Sequence, residues 1–411
     1  MKYVRTHETR DKFLADKDST SRGFRLAPTL YKYSDESEDE DNRDHIYLEL
    51  DDPRKHEGST YMEIALNSDV EFSFYIGNKS GDKQTTMTCT IDWGDDTIET
   101  KTITKDDYGF KLAHNYVAGS YKIELYDVER EYRMMGDVTN DKSLISHPSS
   151  VKRVVLGDGV VSIRYGAFLD CRSLTSIFIP EEVTYIANGV FARCFSLTSI
   201  HIPKGVTSIG ASMFLRCTSL SSIYIPKSVV EIGTDAFDAC TSLKSIHIPE
   251  GVTSIGAYTF SECKSLKSIH IPEGVTSIGA YAFQYCKSLK SIYIPEKVTT
   301  INNSTFYKCT SLKSIDIPKG VTTIKYHAFR DCSSLKSIDI PEKVTSIGDS
   351  AFQGCSSLTS ISSFNPTTPT LGGNIFLNLP TNGTLHIKPG ATGYDAWLSK
   401  LPEGWRIVED L

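Results

Sequence analysis

Aromatic, imidazole, carboxylate and ammonium side chains recur along this 411-residue chain at a fixed step of 23 residues. One column comprises Phe178, His201, Tyr224, His247, His270, Tyr293, Asp316 and Asp339. Three residues before each of these lies a second column of Thr175, Thr198, Ser221, Lys244, Lys267, Lys290, Lys313 and Lys336. Tyrosine and histidine faces can stack on sugar rings, and lysine and serine can form hydrogen bonds to hydroxyl or acid groups. The columns predict a ligand-binding surface, in which Lys244, Lys267 and Lys290 lie beside the aromatic stretch. Aromatic ladders also stabilise strand pairing, and both roles can hold at once.

The same positions permit other chemistry. His247 and His270 could share a metal ion, but side chains on adjacent parallel strands point the same way and do not converge tetrahedrally. Asp316 and Asp339, about 5 Å apart, would suit a retaining glycosidase or calcium, yet a smooth strand offers no pocket. HExxH, GxSxG and glycine-rich phosphate loops are absent from the sequence. We expect no metal, no cofactor and no enzymatic activity.

Nine of the ten cysteines also keep the 23-residue step, from Cys171 to Cys355. Stacked units would hold equivalent Cβ atoms about 4.8 Å apart with parallel directions, whereas a disulfide needs about 3.8 Å and facing directions. We therefore expect buried free thiols, which pack as small apolar groups.

Phenylalanines and prolines repeat with the same period, which indicates a solenoid of stacked units. In the unit Ser265–Lys287, SLKSIHIPEGVTSIGAYAFQYCK, the alternation around His270 predicts a strand that ends at Pro272. A second short strand is expected at Val275–Ile278.

The rest of each unit is predicted to form a turn followed by a short helical segment. Gly279 suits a turn with positive φ, and the segment Ala280–Cys286 fits one or two helical turns. A single unit has too little apolar surface to fold alone, so stability must come from stacking.

The pattern S-L-x-S-I-x-I-P-x-x-V-T-x-I-G-x-x-A-F-x-x-C resembles the BspA-like class of leucine-rich repeats. The resemblance implies an α/β leucine-rich-repeat solenoid over residues 136–383, with about nine 23-residue repeats and a degenerate one. The tail, residues 384–411, is similar to a capping repeat and has a strand–helix–strand pattern around Trp397 and Trp405. Members of that class are mostly adhesive, ligand-binding proteins.

A different resemblance covers residues 59–135. The turn from Trp93 to Asp96, followed by His114, Tyr116, Gly119 and Tyr121, resembles a PKD-type (polycystic-kidney-disease type) domain, which implies a small all-β, Ig-like sandwich. The turn aspartates could bind calcium, but a tight turn favours Asp and Gly for backbone reasons. The predicted fold is therefore an α/β BspA-like solenoid preceded by this sandwich.

Charge is concentrated near the N-terminus. Asp35–Asp44 carries seven acids and one arginine, which is −6 of the net charge of −7, and we interpret residues 1–58 as an arm with an acidic linker. A basic surface for nucleic acid is not supported, and no apolar run is long enough to insert into a membrane. The first residues lack the apolar core of a signal peptide, so we expect none in this sequence.

These observations predict a non-enzymatic adhesion protein that presents its repeats to a protein or glycan on a cell surface. The location would be an extracellular-facing surface, of a cell or of a virion. The alternative is a bacteriophage virion protein, in a tail fibre or head decoration, that attaches to the host. In both cases residues 1–58 would be the dock into the particle or surface scaffold.

Overall fold

The computed structural model describes residues 29–31, 47–49, 59–78, 85–105, 109–126, 128, 132–137 and 142–411. The chain divides into two compact units, residues 1–55 and residues 56–411. In the first unit, β1 (Thr29–Tyr31) and β2 (Tyr47–Glu49) pair antiparallel. The acidic linker expected at Asp35–Asp44 lies outside the described residues.

The second unit begins with two groups of strands. These are β3 (Thr60–Leu66), β4 (Val70–Asn78), β5 (Thr86–Asp92), β6 (Ile98–Thr104), β7 (Phe110–Tyr116), β8 (Gly119–Tyr126) and β9 (Tyr132–Met134). Their order is β3-β8-β5-β6 in one sheet and β9-β4-β7 in the other. Alternation buries one face, as in β5, where Met87, Cys89 and Ile91 are buried. A short pair, β10 (Gly136–Asp137) and β11 (Lys142–Ser143), and a 3₁₀ turn, Pro148–Ser150, lead to the repeats.

The repeats form short parallel strands in stacked rungs. They are β12 (Val151–Val155), β13 (Val160–Ile163), β14 (Ser176–Phe178), β15 (Tyr185–Ile186), β16 (Ser208–Ile209), β17 (Glu231–Ile232), β18 (Ser254–Ile255), β19 (Ser277–Ile278), β20 (Thr300–Ile301), β21 (Thr323–Ile324), β22 (Ser337–Ile340), β23 (Ser346–Ile347), β24 (Ser360–Ser363), β25 (Thr370–Leu371), β26 (Thr384–Ile387) and β27 (Arg406–Glu409). The register advances by one repeat, so that Ser254 pairs with Ser277. The solenoid predicted from the period is confirmed.

Each of the two leading sheets continues into the solenoid. Strand β12 pairs antiparallel with β3 and parallel with β14, and β13 pairs parallel with both β9 and β15. Buried side chains of the strands and of the repeats belong to one hydrophobic cluster. Both strands of the first rung are therefore paired on its N-terminal side.

The segment predicted as helical is not a helix. In Ala280–Cys286, Tyr281, Phe283 and Tyr285 donate their N–H groups to carbonyls of the next rung at 2.7–2.9 Å. An α-helix needs those same donors for carbonyls four residues earlier, so the two arrangements exclude each other. Among the described residues the α-helical structure is α1 (Asp395–Leu398), near the C-terminal end of the chain. The description α/β is imprecise: the fold is a sheet-dominated β-solenoid of about 11 turns.

The expectation of a positive φ at Gly279 is wrong. The φ of Gly279 is not positive, whereas Tyr281 and Tyr285 have φ values of 62° and 57°. A Cβ on Gly279 would lie 2.4 Å from the nitrogen of Ala257 in the preceding rung. Glycine is needed here because two backbones approach closely.

The core is a stack of identical layers. Ring centroids of the phenylalanines from Phe168 to Phe352 lie 5.4–5.8 Å apart in neighbouring rungs. The stack ends at Phe376, which packs against Trp397 in the cap. The strand–helix–strand pattern of the tail is confirmed as β26, α1 and β27, with Trp397 and Trp405 buried.

Candidate functional site

The two predicted columns lie on one exposed side of the solenoid, which we call the strand flank and define by residues 175–178 and their equivalents at each 23-residue step. In the S-I-x-I segment the isoleucines point inward, as with Ile269 and Ile271, which are at most 6% exposed. The residue between them, His270, therefore points to solvent. Pro272 follows Ile271 and has no N–H for a longer ladder, and the strand predicted here is reduced to a single bridge between His270 and His247.

The structure aligns the column residues across rungs. His201 pairs with Tyr224, and His247 with His270, as parallel bridges, so these residues are neighbours at adjacent levels. The column changes in exposure along its length: Phe178, His201 and Tyr224 are half-buried, whereas His247, His270, Tyr293, Asp316 and Asp339 are exposed.

The lysine column is held by the backbone. The N–H group of Lys267 donates to the carbonyl of Lys244 at 3.2 Å, and Lys290 donates to Lys267 in the same way. The side chains of Lys244, Lys267, Lys290, Lys313 and Lys336 are exposed. Their ammonium groups therefore line the strand flank beside the aromatic column.

Sequence reasoning missed a third column, formed by the residue after the repeat proline: Glu181, Lys204, Lys227, Glu250, Glu273, Glu296, Lys319 and Glu342. Acids of this column lie beside the aromatic column of the next rung: Nε2 of His201 is 2.8 Å from Glu181, and Nε2 of His270 is 3.9 Å from Glu250. A side-chain hydrogen bond also joins Tyr293 to Glu273. The signal was available, because each acid lies 20 residues before its partner in the sequence.

These contacts alter the ionisation of the strand flank. Burial acts to raise the pKa of Glu181, but hydrogen bonds from His201 and from the Lys204 N–H outweigh it and hold that pKa below its ordinary value. For Tyr293, the hydrogen bond to Glu273 raises the phenol pKa, so the hydroxyl keeps its proton at neutral pH. The strand flank therefore presents carboxylates, protonated phenols and ammonium groups together.

The strand flank provides a surface rather than a catalytic cleft. A shallow cleft of about 360 Å³ lies elsewhere, between residues 65–70 and residues 146–150. Asp316 and Asp339 are both exposed. Among the described residues, no group of three His, Cys, Asp or Glu side chains is arranged to hold a metal ion. Such a surface can bind a partner by contact, hydrogen bonds and charge.

The cysteine column is structural, and its predicted burial is confirmed. All ten cysteines are free and buried. The thiols from Cys194 to Cys355 each donate to a phenylalanine carbonyl of the preceding rung at 3.1–3.3 Å. Burial raises the pKa of Cys355 to about 12, so its thiol stays protonated and unreactive in the folded chain.

Comparison with protein families gives a match over most of the repeats. The family described as BspA type leucine rich repeat region matches residues 144–267 and 253–383, in six copies. The chain belongs to this family. Its BspA-type repeats confirm the resemblance seen in the sequence. The match begins at residue 144, so the PKD-type assignment of residues 59–135 stays a prediction.

Solved structures share repeats of this kind. The chain is similar to a leucine rich cell surface protein from Faecalibacterium prausnitzii A2-165, with 29% identity over 52% of this chain and 79% of that chain and a TM-score of 0.32. It is similar to the leucine rich repeat protein of T. pallidum, with 27% identity, 50% and 83% coverage and a TM-score of 0.38. The pneumococcal vaccine antigen PcpA gives 17% identity, 63% and 79% coverage and a TM-score of 0.44. With TM-scores below 0.5, these likenesses carry no further conclusion.

The comparison with curated proteins gives no match. In the described part of the chain, no helix combines the length and the apolar character that crossing a membrane would require.

Proposed function

We propose that this BspA-type protein is a non-enzymatic binding protein of the adhesion type, which presents its strand flank to a protein ligand at a cell surface. The observation that carries the proposal is the outward-facing column from His201 to Tyr293, with Lys244, Lys267 and Lys290 on one side and Glu181, Glu250 and Glu273 on the other. The core does not need these side chains, because the inward isoleucines of each rung already fill it.

The rigidity of the solenoid supports the proposal. Bridges at His201–Tyr224 and His247–His270, and backbone hydrogen bonds along the lysine column, join neighbouring rungs, so little conformational entropy is lost on binding. Tyrosine and histidine offer large contact areas with few rotatable bonds, and fixed charges beside them add specificity. A protein ligand with mixed charges fits the alternation of acids and lysines better than a purely cationic or anionic one.

The decisive variant replaces Tyr224, His247, His270 and Tyr293 by serine in the full chain. Serine keeps the strand and removes the rings, so we expect an unchanged melting temperature and a loss of at least tenfold in affinity for cells that bind the wild-type chain. The matched control is Tyr185→Ser, since Tyr185 is an exposed tyrosine on a different strand of the rung. Equal binding by the fourfold variant and the wild type would show that the ligand is bound elsewhere.

The cell-surface location is part of the proposal. It rests on the adhesive character that the family resemblance implies, and antibody labelling of intact against permeabilised cells tests it. The virion alternative, with residues 1–58 as its dock, stays a prediction from the sequence, since no described residue bears on it.

We also propose that residues 59–135 form a PKD-type sandwich. The support is local: the hydroxyl of Tyr116 donates to the carbonyl of Trp93 at 2.8 Å, and the rings of His114 and Trp93 stack with centroids 5.0 Å apart. The predicted turn and corner residues are thus brought together. Superposition of an experimental structure on PKD-type domains tests this assignment.

A further inference from the structure

We propose that the turn flank of the solenoid carries a second binding surface, for an acidic saccharide. The turn flank comprises the residues between the second strand and the cysteine of each rung, as in Ala280–Cys286. Its binding surface, which we call the tyrosine platform, consists of Tyr258, Tyr281, Tyr285, Tyr307, Tyr326 and Lys308. The residues belong to four consecutive rungs and are separate in sequence from the strand flank.

The rings of the tyrosine platform contact one another. Tyr258 and Tyr281 stack with centroids 4.5 Å apart, and the hydroxyls of Tyr281 and Tyr326 lie 2.8 Å apart. Tyr285 and Tyr307 pack edge to face at 5.3 Å. The ring of His327 joins the two groups, since its centroid lies 6.3 Å from that of Tyr307 and 5.2 Å from that of Tyr326. The result is one area of aromatic rings and hydroxyl groups.

The backbone beneath these rings is unfavourable for tyrosine. Tyr258, Tyr281 and Tyr285 have φ values of 55°, 62° and 57°, in the left-handed region where bulky residues are rare. The same positions also have positive φ in other rungs, where they carry residues as different as Ser212, Arg216, Glu262 and Gly354. The turn therefore accepts many residue types, and its backbone does not require the clustering of tyrosines on consecutive rungs.

The apolar core does not explain the rings. All five tyrosines are partly or largely exposed, and within the described part of the chain none is among the residues that pack against the hydrophobic core. The turns of these four rungs would form equally well with serine, alanine or glycine at these positions, as the turns of other rungs do.

The charge of the tyrosine platform selects an acidic ligand. The ammonium group of Lys308 lies 5.3 Å from the ring centre of Tyr285 and 5.1 Å from that of Tyr307, and the Arg330 guanidinium lies 5.8 Å from the latter. A hydrogen bond with Tyr307 raises the pKa of Lys308, which keeps the cation charged.

The acids near Lys308 have other partners. Glu262 is paired with Lys264 at 3.0 Å, and Asp331 is paired with Arg330 at 3.8 Å, so Lys308 is the cation on which the charge of the tyrosine platform rests. Within the described residues Lys308 forms no ion pair, so its charge is available to a carboxylate or sulfate group.

A saccharide matches the remaining features. A sugar ring has an apolar C–H face that can stack on the tyrosine rings, and it has hydroxyls that can form hydrogen bonds with the tyrosine hydroxyls. The tyrosine platform extends over four consecutive rungs, which suits a chain molecule lying across them better than a small ligand needing enclosure.

The repeats themselves supply conservative test substitutions. Tyr281→Ser, Tyr285→Ala and Tyr307→Gln introduce the residues found at the equivalent positions Ser350, Ala239 and Gln353. The triple variant of the full chain is titrated with fluorescent oligogalacturonate and chondroitin sulfate oligosaccharides, and with neutral dextran oligosaccharide. We expect wild-type binding to the acidic probes and at least a tenfold loss in the variant, with Tyr185→Ser binding like the wild type. The melting temperature of the triple variant should not fall.

Three results would overturn the proposal: no binding of either acidic probe by the wild type, equal affinity in the triple variant, or equal affinity for dextran. If the triple variant has a lower melting temperature than the wild type, the test is made with Lys308→Gln. This variant keeps the tyrosine rings, and the proposal requires that it bind the acidic probes more weakly than the wild type does. The fourfold serine variant of the strand flank should bind these probes normally, which separates this surface from the proposed function. Loss of a protein ligand, but of no saccharide, in the triple variant would assign the tyrosine platform to protein contact instead.

Discussion

Asp170 forms side-chain hydrogen bonds that connect its rung to the next one. Its carboxylate accepts hydrogen bonds from Nε and Nη2 of Arg193 in the following rung at 3.0 and 2.8 Å, and from Nε of Arg172 at 3.2 Å. The bonds from Arg193, and then those from Arg172, hold the pKa of Asp170 below its ordinary value despite partial burial. Asp170 itself has a φ of 61°, which a short polar side chain tolerates.

We expect Asp170→Asn to destabilise the chain by about 1 kcal/mol at pH 7, since asparagine keeps the left-handed backbone and loses the charge. A lowered folded-state pKa gives stability that is complete above the unfolded pKa, near 4, and is lost as pH falls through the folded value. The difference between variant and wild type should therefore shrink as the pH falls from the unfolded pKa through the lower folded pKa. Urea unfolding at pH 7 and at a strongly acidic pH measures it, with the exposed Asp158→Asn as control. A difference that persists at the lower pH would contradict the charge-based explanation.

At the scale of the element, the inward and outward positions before the proline followed from the sequence, and the turn flank did not. The alternation of isoleucines is a local signal for these positions, although in the middle rungs the structure has isolated bridges in place of the predicted strands. The segment Ala280–Cys286 has apolar residues at helical spacing, but the partners of its N–H groups lie one repeat away in the sequence. Local periodicity contains no information about those bonds.

The candidate site was predictable to a similar extent. The outward column from Phe178 to Asp339 follows from alternation, whereas the pairing of Glu181 with His201 depends on the angle at which the chain turns at the proline. The tyrosine platform was missed for a related reason: Tyr281 and Tyr285 were assigned to a helix, so their common exposure on a turn was not expected.

For the whole molecule, the main feature is the continuity of both sheets from the N-terminal strands into the repeats. Val154 lies at this junction, fully buried, opposite Met62 of β3 on one side and Ile177 of β14 on the other. Hydrogen bonds and core contacts cross the junction in both sheets, so the strands before the repeats act as their N-terminal cap.

We therefore expect Val154→Ala to lower the melting transition of the leading sheets and that of the first rungs together, at a cost of about 2 kcal/mol. The fluorescence of Trp93, measured in a Trp397→Phe, Trp405→Phe background, reports the leading sheets, and circular dichroism reports the solenoid. Val230→Ala is the control, since Val230 is 53% exposed. Separate transitions for the two signals, of which only one shifts, would mean that the junction does not couple the two regions.

The constant repeat length of 23 residues has a consequence for how the number of repeats can change in evolution. Any rung can follow any other, because neighbouring levels meet through the same backbone register and the same phenylalanine stack. Unequal crossing-over between near-identical coding units would then add or delete one whole level without breaking the hydrogen bonding. A lineage could in this way lengthen, shorten or reshuffle the outward residues while the interior stays the same.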